Sequence, residues 1–495
     1  MKNIFNIICP NKQKHKDETS TDSEDYLAKT IGTFGLWQAA VCVAASLTRF
    51  IVMWNMTAIL FLTPDTEFEC IEVKGIRNVT DNTCYDDCIK YEYNNQGLQT
   101  TLISDYSLIC DRQWLAGLAQ SVLMLGLLVG TFLFGWISDR FGRRNSIVAS
   151  VLVNVIFMLA TPFSPNFWIF SIFRFITGIA SGGTLITCIV IIMEIISKNH
   201  REAASSVLVQ PDALAQASLA IFAYYSPNWN VYVLVYSIAS IFILIIVLFI
   251  PESPRWLISR GRIDEAIQVI TKAAQRNKLS TENIEAIIKN SAEELRINKK
   301  EVVNTTYLDL FKTKELAINT TCIFIAWTIS GTCFFGINQY MTFVGSNLYV
   351  AVVVLGLIQM PVGLGSWIIN KYLGRRIASV GILGLGGIVM VLLLFTEEYY
   401  WPATILGIIG FSAVSSIFTI TYIYASELFP TPLRNMAFGL TSTGAKFGAM
   451  VAPFIANLKP QWVPSVVFAG MLFVGALSCL PLPETKGRNL KDTVS

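Results

Sequence analysis

Asp139-Arg140-Phe141-Gly142-Arg143-Arg144 is the stretch on which the fold turns, because the chain carries it twice. It returns, weakened, as Asn370-Lys371-Tyr372-Leu373-Gly374-Arg375-Arg376, an offset of 231 residues (370 − 139). Glu194 with Arg201 returns as Glu427 with Arg434 at an offset of 233 (427 − 194), and Pro251-Glu252 returns as Pro483-Glu484. Soluble repeat arrays use periods of roughly 20–50 residues. Two large halves built from apolar segments instead point to a membrane carrier whose substrate site lies between them.

Composition agrees. Of 495 residues 53% are hydrophobic and 14% charged, and the mean hydropathy is +0.53. A soluble chain of this make-up would expose too much apolar surface, so the class is integral membrane. The net charge of +3 is too small to imply a nucleic-acid partner. The two histidines, His15 and His200, sit in polar flanks, which argues against a buried zinc site or histidine triad and hence against an enzyme; no cofactor is expected.

A span needs about 20 apolar residues. Twelve candidates fit, at 35–62, 115–137, 145–163, 168–193, 203–225, 231–250, 315–340, 346–369, 377–395, 401–424, 436–457 and 464–482. The expected fold is an all-α membrane protein of twelve transmembrane helices in two pseudo-symmetric six-helix bundles, 34–250 and 315–483. Arg140, Arg143, Arg144, Lys198, Arg201, Lys371, Arg375, Arg376 and Arg434 fall on one side, which the positive-inside rule makes cytoplasmic. The tails, 1–33 and 484–495, share that side; the first is too polar around Lys12 to Asp25 for a signal peptide.

Two loops are long. The one at 63–114 falls outside and holds Cys70, Cys84, Cys88 and Cys110, which read as two disulfides with three possible pairings. It also carries Asn78-Val79-Thr80, a glycosylation sequon on the correct side. The linker at 251–314 is cytoplasmic, and its stripes Ile263, Ala266, Ile267, Ile270 and Ile284, Ala286, Ile287, Ile288 predict amphipathic helices that latch the halves.

The string Gly135-Trp136-Ile137-Ser138-Asp139-Arg140-Phe141-Gly142-Arg143-Arg144 resembles the signature loop of the major facilitator superfamily. Pro251-Glu252-Ser253-Pro254-Arg255-Trp256-Leu257 is similar to a motif shared by sugar porters and organic ion transporters. Glu427-Leu428-Phe429-Pro430-Thr431-Pro432-Leu433-Arg434-Asn435 and the cysteine-bearing loop favour the organic ion branch, which carries organic cations, anions and carnitine-like zwitterions. Against a sugar porter, span seven lacks the paired glutamines before Gly336-Ile337-Asn338. The resemblance implies a plasma-membrane carrier of a small organic ion with a cytoplasmic gate. Asp139, Arg140, Arg143, Arg144, Glu194, Arg201, Glu252, Arg255, Arg375, Glu427 and Arg434 are its candidates, with Asp139 pairing to a cation or a helix N-terminus.

Ionisable residues at mid-span are costly and are functional candidates by default. Arg49 in span one, Asp212 in span five and Lys446 in span eleven stand out. Asp212 lies 11 residues past Arg201 and Lys446 lies 12 past Arg434, so each sits roughly 16–18 Å in from the basic face. The resemblance adds that Lys446 falls where cation carriers have an acid and anion or carnitine carriers a base. A buried ammonium attracts a carboxylate and repels a cation. Asp212 would hold the amine end of a zwitterion, or else pair with Arg49. Phe334 and Phe335 match an aromatic pair of the anion carriers; Asn338, Gln339, Trp54, Asn55, Gln359, Tyr422 and Tyr424 complete the expected cavity, with Trp327 two turns before the aromatic pair. A lysine expected in span eight is Gly363 here, which favours a monocarboxylate or zwitterion over a dianion. The glycines of span four, Gly178, Gly182 and Gly183, read as close helix packing.

The expectation is a carrier of organic anions or carnitine-like zwitterions by alternating access, its partners a small organic ion and the bilayer, with any coupling ion open. An organic cation carrier and a non-transporting sensor on the same fold are the rivals.

Overall fold

The computed structural model describes residues 26–73, 82–85, 88–95, 97–197, 210–298, 306–344, 347–396 and 400–486. Arg201, His15, His200 and Asn78 lie outside the described residues. Lipid offers the backbone no hydrogen-bond partner, so an apolar run satisfies its own N–H and C=O groups as a helix. The N-terminal bundle comprises α1 (Leu36–Thr57, continued by Ile59–Leu62), α2 (Trp114–Phe141), α3 (Arg143–Ala160), α4 (Phe167–Ile195), α5 (Gln210–Tyr224) and α6 (Trp229–Val247). The C-terminal bundle comprises α7 (Lys314–Val344), α8 (Leu348–Leu373), α9 (Arg375–Leu393), α10 (Tyr400–Leu428), α11 (Thr431–Ala456) and α12 (Trp462–Cys479). Among the described residues ten helices are long and apolar enough to cross a membrane. The other two are α5, of which 15 residues are described, and α11, which carries Arg434 and Lys446. The twelve-helix architecture is thus the expected one.

Close packing rests on glycine where α2 meets α4. A Cβ at Gly126 would stand 2.3 Å from the carbonyl oxygen of Phe175, and one at Gly182 2.3 Å from that of Leu127. Helix approach without a hydrophobic drive relies on such small residues, so the packing role expected of Gly178, Gly182 and Gly183 holds.

At the disulfide-bearing face the long loop folds on itself. β1 (Thr66–Val73) pairs antiparallel with β2 (Cys88–Asn95), and the disulfides are Cys70–Cys88 and Cys84–Cys110. The loop is docked on the bundle by the Trp229 indole, which donates to Asp105 at 2.6 Å.

At the other face the linker forms the helices Pro254–Ser259, Ile263–Arg276 and Ile284–Asn298, with Ala266, Ile270, Ile284 and Ile288 buried. Their described packing is on α1, α2, α4 and the short helix Tyr26–Ile31. Asn277 is the clasp. Its Oδ1 accepts the Trp37 N–H at 2.8 Å, and its Nδ2 donates to the Ile31 carbonyl at 2.8 Å and to Gln38 at 2.7 Å. From sequence the helices are expected to latch the two halves; among the described residues their apolar stripes and the clasp find their complement on the N-terminal half.

The repeated motif has a local cause. Glu252 accepts the backbone N–H groups of Arg143 at 2.8 Å and Arg144 at 3.1 Å, so it caps α3 and meets the positive end of its dipole. Glu484 does the same for α9 through Arg375 at 2.9 Å and Arg376 at 3.1 Å. The preceding Gly142 and Gly374 have φ of +105° and +86°, and a Cβ on Gly142 would stand 2.2 Å from Glu252 Oε2. Strain and clash together predict that Gly142→Ala destabilises the protein by roughly 1–3 kcal/mol. Gly135→Ala, with nothing within 4 Å of the added carbon, is expected to be neutral. Melting of the purified protein, followed by size-exclusion fluorescence, compares the two.

Candidate functional site

Each half closes a charge cluster at its basic-face end. In the N-terminal half the Arg143 guanidinium donates to Glu194 at 2.9 Å, Asp139 at 2.8 Å and the Ser138 carbonyl at 2.7 Å. The Asp139 carbonyl in turn accepts the Trp256 indole at 2.9 Å and Arg260 at 2.5 Å. Arg140 lies over the rings of Trp136 and Phe141, Arg144 donates to the Leu248 carbonyl, and Arg255 stands in the first turn of Pro254–Ser259. In the C-terminal half Arg375 donates to Glu427 at 2.7 Å, Thr485 donates to the other Glu427 oxygen at 2.7 Å, and Arg434 stands at the start of α11. Both clusters join helices within one half. They bring together Asp139, Arg143 and Glu194 in one half and Arg375 with Glu427 in the other; Arg201 lies outside the described residues.

The middle of the membrane holds the intramembrane charges. Arg49 on α1 and Asp212 on α5 form a two-pronged ion pair: Arg49 Nε donates to Asp212 Oδ1 at 2.9 Å, and Nη2 donates to Oδ2. The alternative raised for Asp212, a counter-ion for Arg49, is therefore the arrangement found here. Tyr422 lies within electrostatic range of the same guanidinium and rests its ring on Phe438 at 4.7 Å. Around it Trp327, Phe334, Phe418 and Phe438 form a continuous aromatic wall, with ring centroids 5.2–6.2 Å apart.

Lys446 is placed by its helix. On α11 the neighbours Gly444, Ala445 and Gly448 press against α7, where a Cβ on Gly448 would stand 2.1 Å from the Thr328 carbonyl oxygen. One turn from Lys446, the Met450 carbonyl accepts Ser121 of α2 at 2.5 Å, and Phe454 abuts Gly117. Residues 446, 450 and 454 share one helix stripe, so half-buried Lys446 belongs to the face of α11 turned toward the N-terminal half. Among the described residues it has no ion-pair partner.

Three residues expected in the cavity have partners inside their own bundle. Asn55 is 2% exposed and spends its amide inside the N-terminal half, on Asn154 at 3.2 Å and Ser181 at 3.3 Å. Trp54 donates to Ser218 at 2.9 Å and packs on Phe50, Phe222 and Tyr236. Tyr424 turns its hydroxyl to the Pro483 carbonyl at 2.7 Å. Polar groups in lipid seek partners inside their bundle, and sequence spacing did not show that these had them.

Two residues escaped the sequence reading. Arg174 on α4, 2% exposed, donates to the Asn55 carbonyl and to Gln120, each at 3.0 Å, and its Nε has no partner among the described residues. An arginine in an apolar run is a legible signal, and Arg174 stands in the same span as Gly178, Gly182 and Gly183. Gln216 on α5 had no such signal. It donates to Asn338 of α7 at 3.0 Å and accepts from Gln359 of α8 at 3.0 Å, which ties the halves together. Asn338, Gln339 and Phe335 line a small pocket between the halves with Thr57 and Gln120.

Burial pushes the Glu484 carboxyl up, but the N–H groups of Arg375, Lys486 and Arg376 outweigh it and hold the group below its ordinary value. A carboxyl depressed in the folded state stabilises the fold above its unfolded pKa of about 4.3 and loses that contribution as pH falls through the folded value. Thermal stability measured across pH 3–7 is expected to fall at the acid end, with a shallower fall in Glu484→Gln.

The family described as "Sugar (and other) transporter" matches residues 41–494. The chain is 32% identical to human solute carrier family 22 member 13 across 82% of this chain and 72% of that protein. It is 31% identical to mouse solute carrier family 22 member 3, over 80% and 71%, and 28% identical to human organic cation/carnitine transporter 2, over 82% and 73%. Among solved structures the E. coli xylose transporter XylE in a partially occluded inward-open conformation superposes with a TM-score of 0.65 at 17% identity, over 92% of this chain and 100% of that one. Duplicated caps, paired bundles and these matches converge: the chain belongs to the major facilitator superfamily, in its organic ion branch, solute carrier family 22, and is a multi-pass membrane transporter, not an enzyme.

Proposed function

We propose that the protein moves a small organic anion or carnitine-like zwitterion across the plasma membrane by alternating access, with both termini cytoplasmic and the disulfide-bonded loop, glycosylated at Asn78, outside. The observation that carries this reading is the charge balance around the seam. Arg49 and Asp212 neutralise one another, whereas Lys446, on the face of α11 turned toward the N-terminal half, has no carboxylate partner among the described residues. Positive charge in a low-dielectric cavity selects negative cargo. The carboxylate of the substrate meets Lys446, and a quaternary ammonium, where there is one, faces the wall of Trp327, Phe334, Phe418, Tyr422 and Phe438 by cation–π attraction. Likeness to organic cation/carnitine transporter 2 supports the zwitterionic form. A pure cation carrier would first have to free Asp212 from Arg49.

Alternating access also needs two rigid bodies. The clusters around Arg143, with Asp139, Arg140, Arg144, Glu194, Glu252 and Arg255, and around Arg375, with Glu427 and Arg434, act as gate elements by holding each half together while the seam opens.

Uptake of labelled carnitine, a monocarboxylate and a quaternary ammonium by cells expressing the protein tests the reading. Lys446→Asp is expected to lower monocarboxylate or carnitine uptake at least about tenfold at equal surface abundance. Anion uptake that survives the swap unchanged would sink the preference for negative cargo.

A further inference from the structure

The contacts that join the halves have a pattern that follows the duplication. One helical turn from Asp212 toward the disulfide-bearing face, Gln216 of α5 bonds Asn338 of α7 and Gln359 of α8, both at 3.0 Å. One turn from Lys446 in the same direction, Met450 of α11 accepts Ser121 of α2 at 2.5 Å. Beside each tie a glycine lets the helices touch. A Cβ on Gly356 would stand 2.8 Å from the Ala217 nitrogen, and one on Gly117 3.0 Å from the Phe454 ring. Further out, Tyr349 meets Phe61 and Tyr224 at 5.5 and 5.8 Å, and Lys459 faces Asp65 at 3.5 Å.

We propose that Gln216 is the positioning residue of the gate on the disulfide-bearing side: its amide closes that gate, and its bonds to Asn338 and Gln359 must break for the cavity to open there. Gln216 and Asn338 are 0% and 2% exposed, so opening either leaves buried amides unpaired or admits water or a polar substrate group between them. Each alternative changes the balance between the two access states, because a buried amide without a partner is costly while a paired one is not. The Gln216 contact also differs in kind from the charge clusters at the opposite face. Those bonds stay within a half, and these cross the seam. The inference rests on the transport reading but not on the sign of the cargo.

The test needs no substrate. A cysteine placed by Thr57→Cys, at a position in the small pocket lined also by Asn338, is labelled with a maleimide in open membranes of the full chain, where both faces meet the reagent. Labelling without the added cysteine gives the background. Gln216→Leu is expected to speed labelling about tenfold, and Gln359→Leu, which removes a single tie, by less. Ser150→Ala, which loses a buried hydrogen bond inside one half, is expected to leave the rate unchanged. Asn338→Leu removes the same tie from the other side and stands in should Gln216→Leu fail to reach the membrane. Unchanged rates in both, an equal rise in Ser150→Ala, or failure of both to reach the membrane would overturn the proposal. Since labelling is independent of uptake, such a result stays distinct from whatever Lys446→Asp does.

Discussion

A charge in the membrane interior must be neutralised by a partner or left facing water, and the arrangement of this protein follows from how its four mid-span ions meet that demand. Arg49 and Asp212 cancel across α1 and α5. Arg174 is enclosed and rests on neutral oxygens, the Asn55 carbonyl and Gln120. Lys446 has neither solution among the described residues, and its helix turns it to the seam between the bundles. A lone ammonium in hydrocarbon would be costly, so a hydrated cavity beside α11 is the consistent surrounding for it. On the proposed function that asymmetry is what matters: three ions are already provided for, and one is left for cargo.

The same economy explains the duplicated motif. A helix that starts at the membrane edge has unpaired N–H groups, and an acid placed there meets both the dipole and the hydrogen-bond donors. Glu252 and Glu484 supply that acid from the strand of chain that follows each bundle, so the sixth helix of each half is stitched to the third. The acid comes so close that the residue before the helix can only be glycine, and positive φ at Gly142 and Gly374 adds the same requirement. Side chains of Arg143 and Arg375 then reach Glu194 and Glu427 on the fourth helix of each half. What reads in the sequence as a string of arginines is in space a three-helix tie, repeated.

Legibility divided along the range of the interactions. The repeat, the apolar runs and the loop cysteines are local signals, and the halves, the helices and both disulfides followed from them, with the pairing supplied by the structure. Glu194 was legible as a charge but not as the partner of Arg143, because that choice depends on how α3 and α4 sit together. Trp54 and Asn55 were legible as polar groups in a span, yet spacing alone does not say which stripe of α1 faces the seam. Asn277 and Gln216 were silent: an amide in a linker or a span has no pattern until its partners, about 240 and 122 positions away, are brought beside it.

These long-range amides also order the bundle's two faces. On the basic face the clasp of Asn277 and the charge clusters act within a half, so the halves there are free to part without breaking them. On the disulfide-bearing face Gln216, Ser121 and Lys459 all cross the seam. The structure therefore has its seam tied from the middle of the membrane outward on that side, with Lys446 and the Arg49–Asp212 pair one turn below the innermost ties. On the proposed transport reading, a carrier tied in this way turns its charged residues to the basic face. For the opposite face to gain access, bonds that are mostly neutral amide and carbonyl contacts must be exchanged for water, each at modest net cost. On the proposed reading, a gate of neutral hydrogen bonds above a cavity of charges separates two tasks: the charges would choose the cargo, and the amides would set which side it is chosen from.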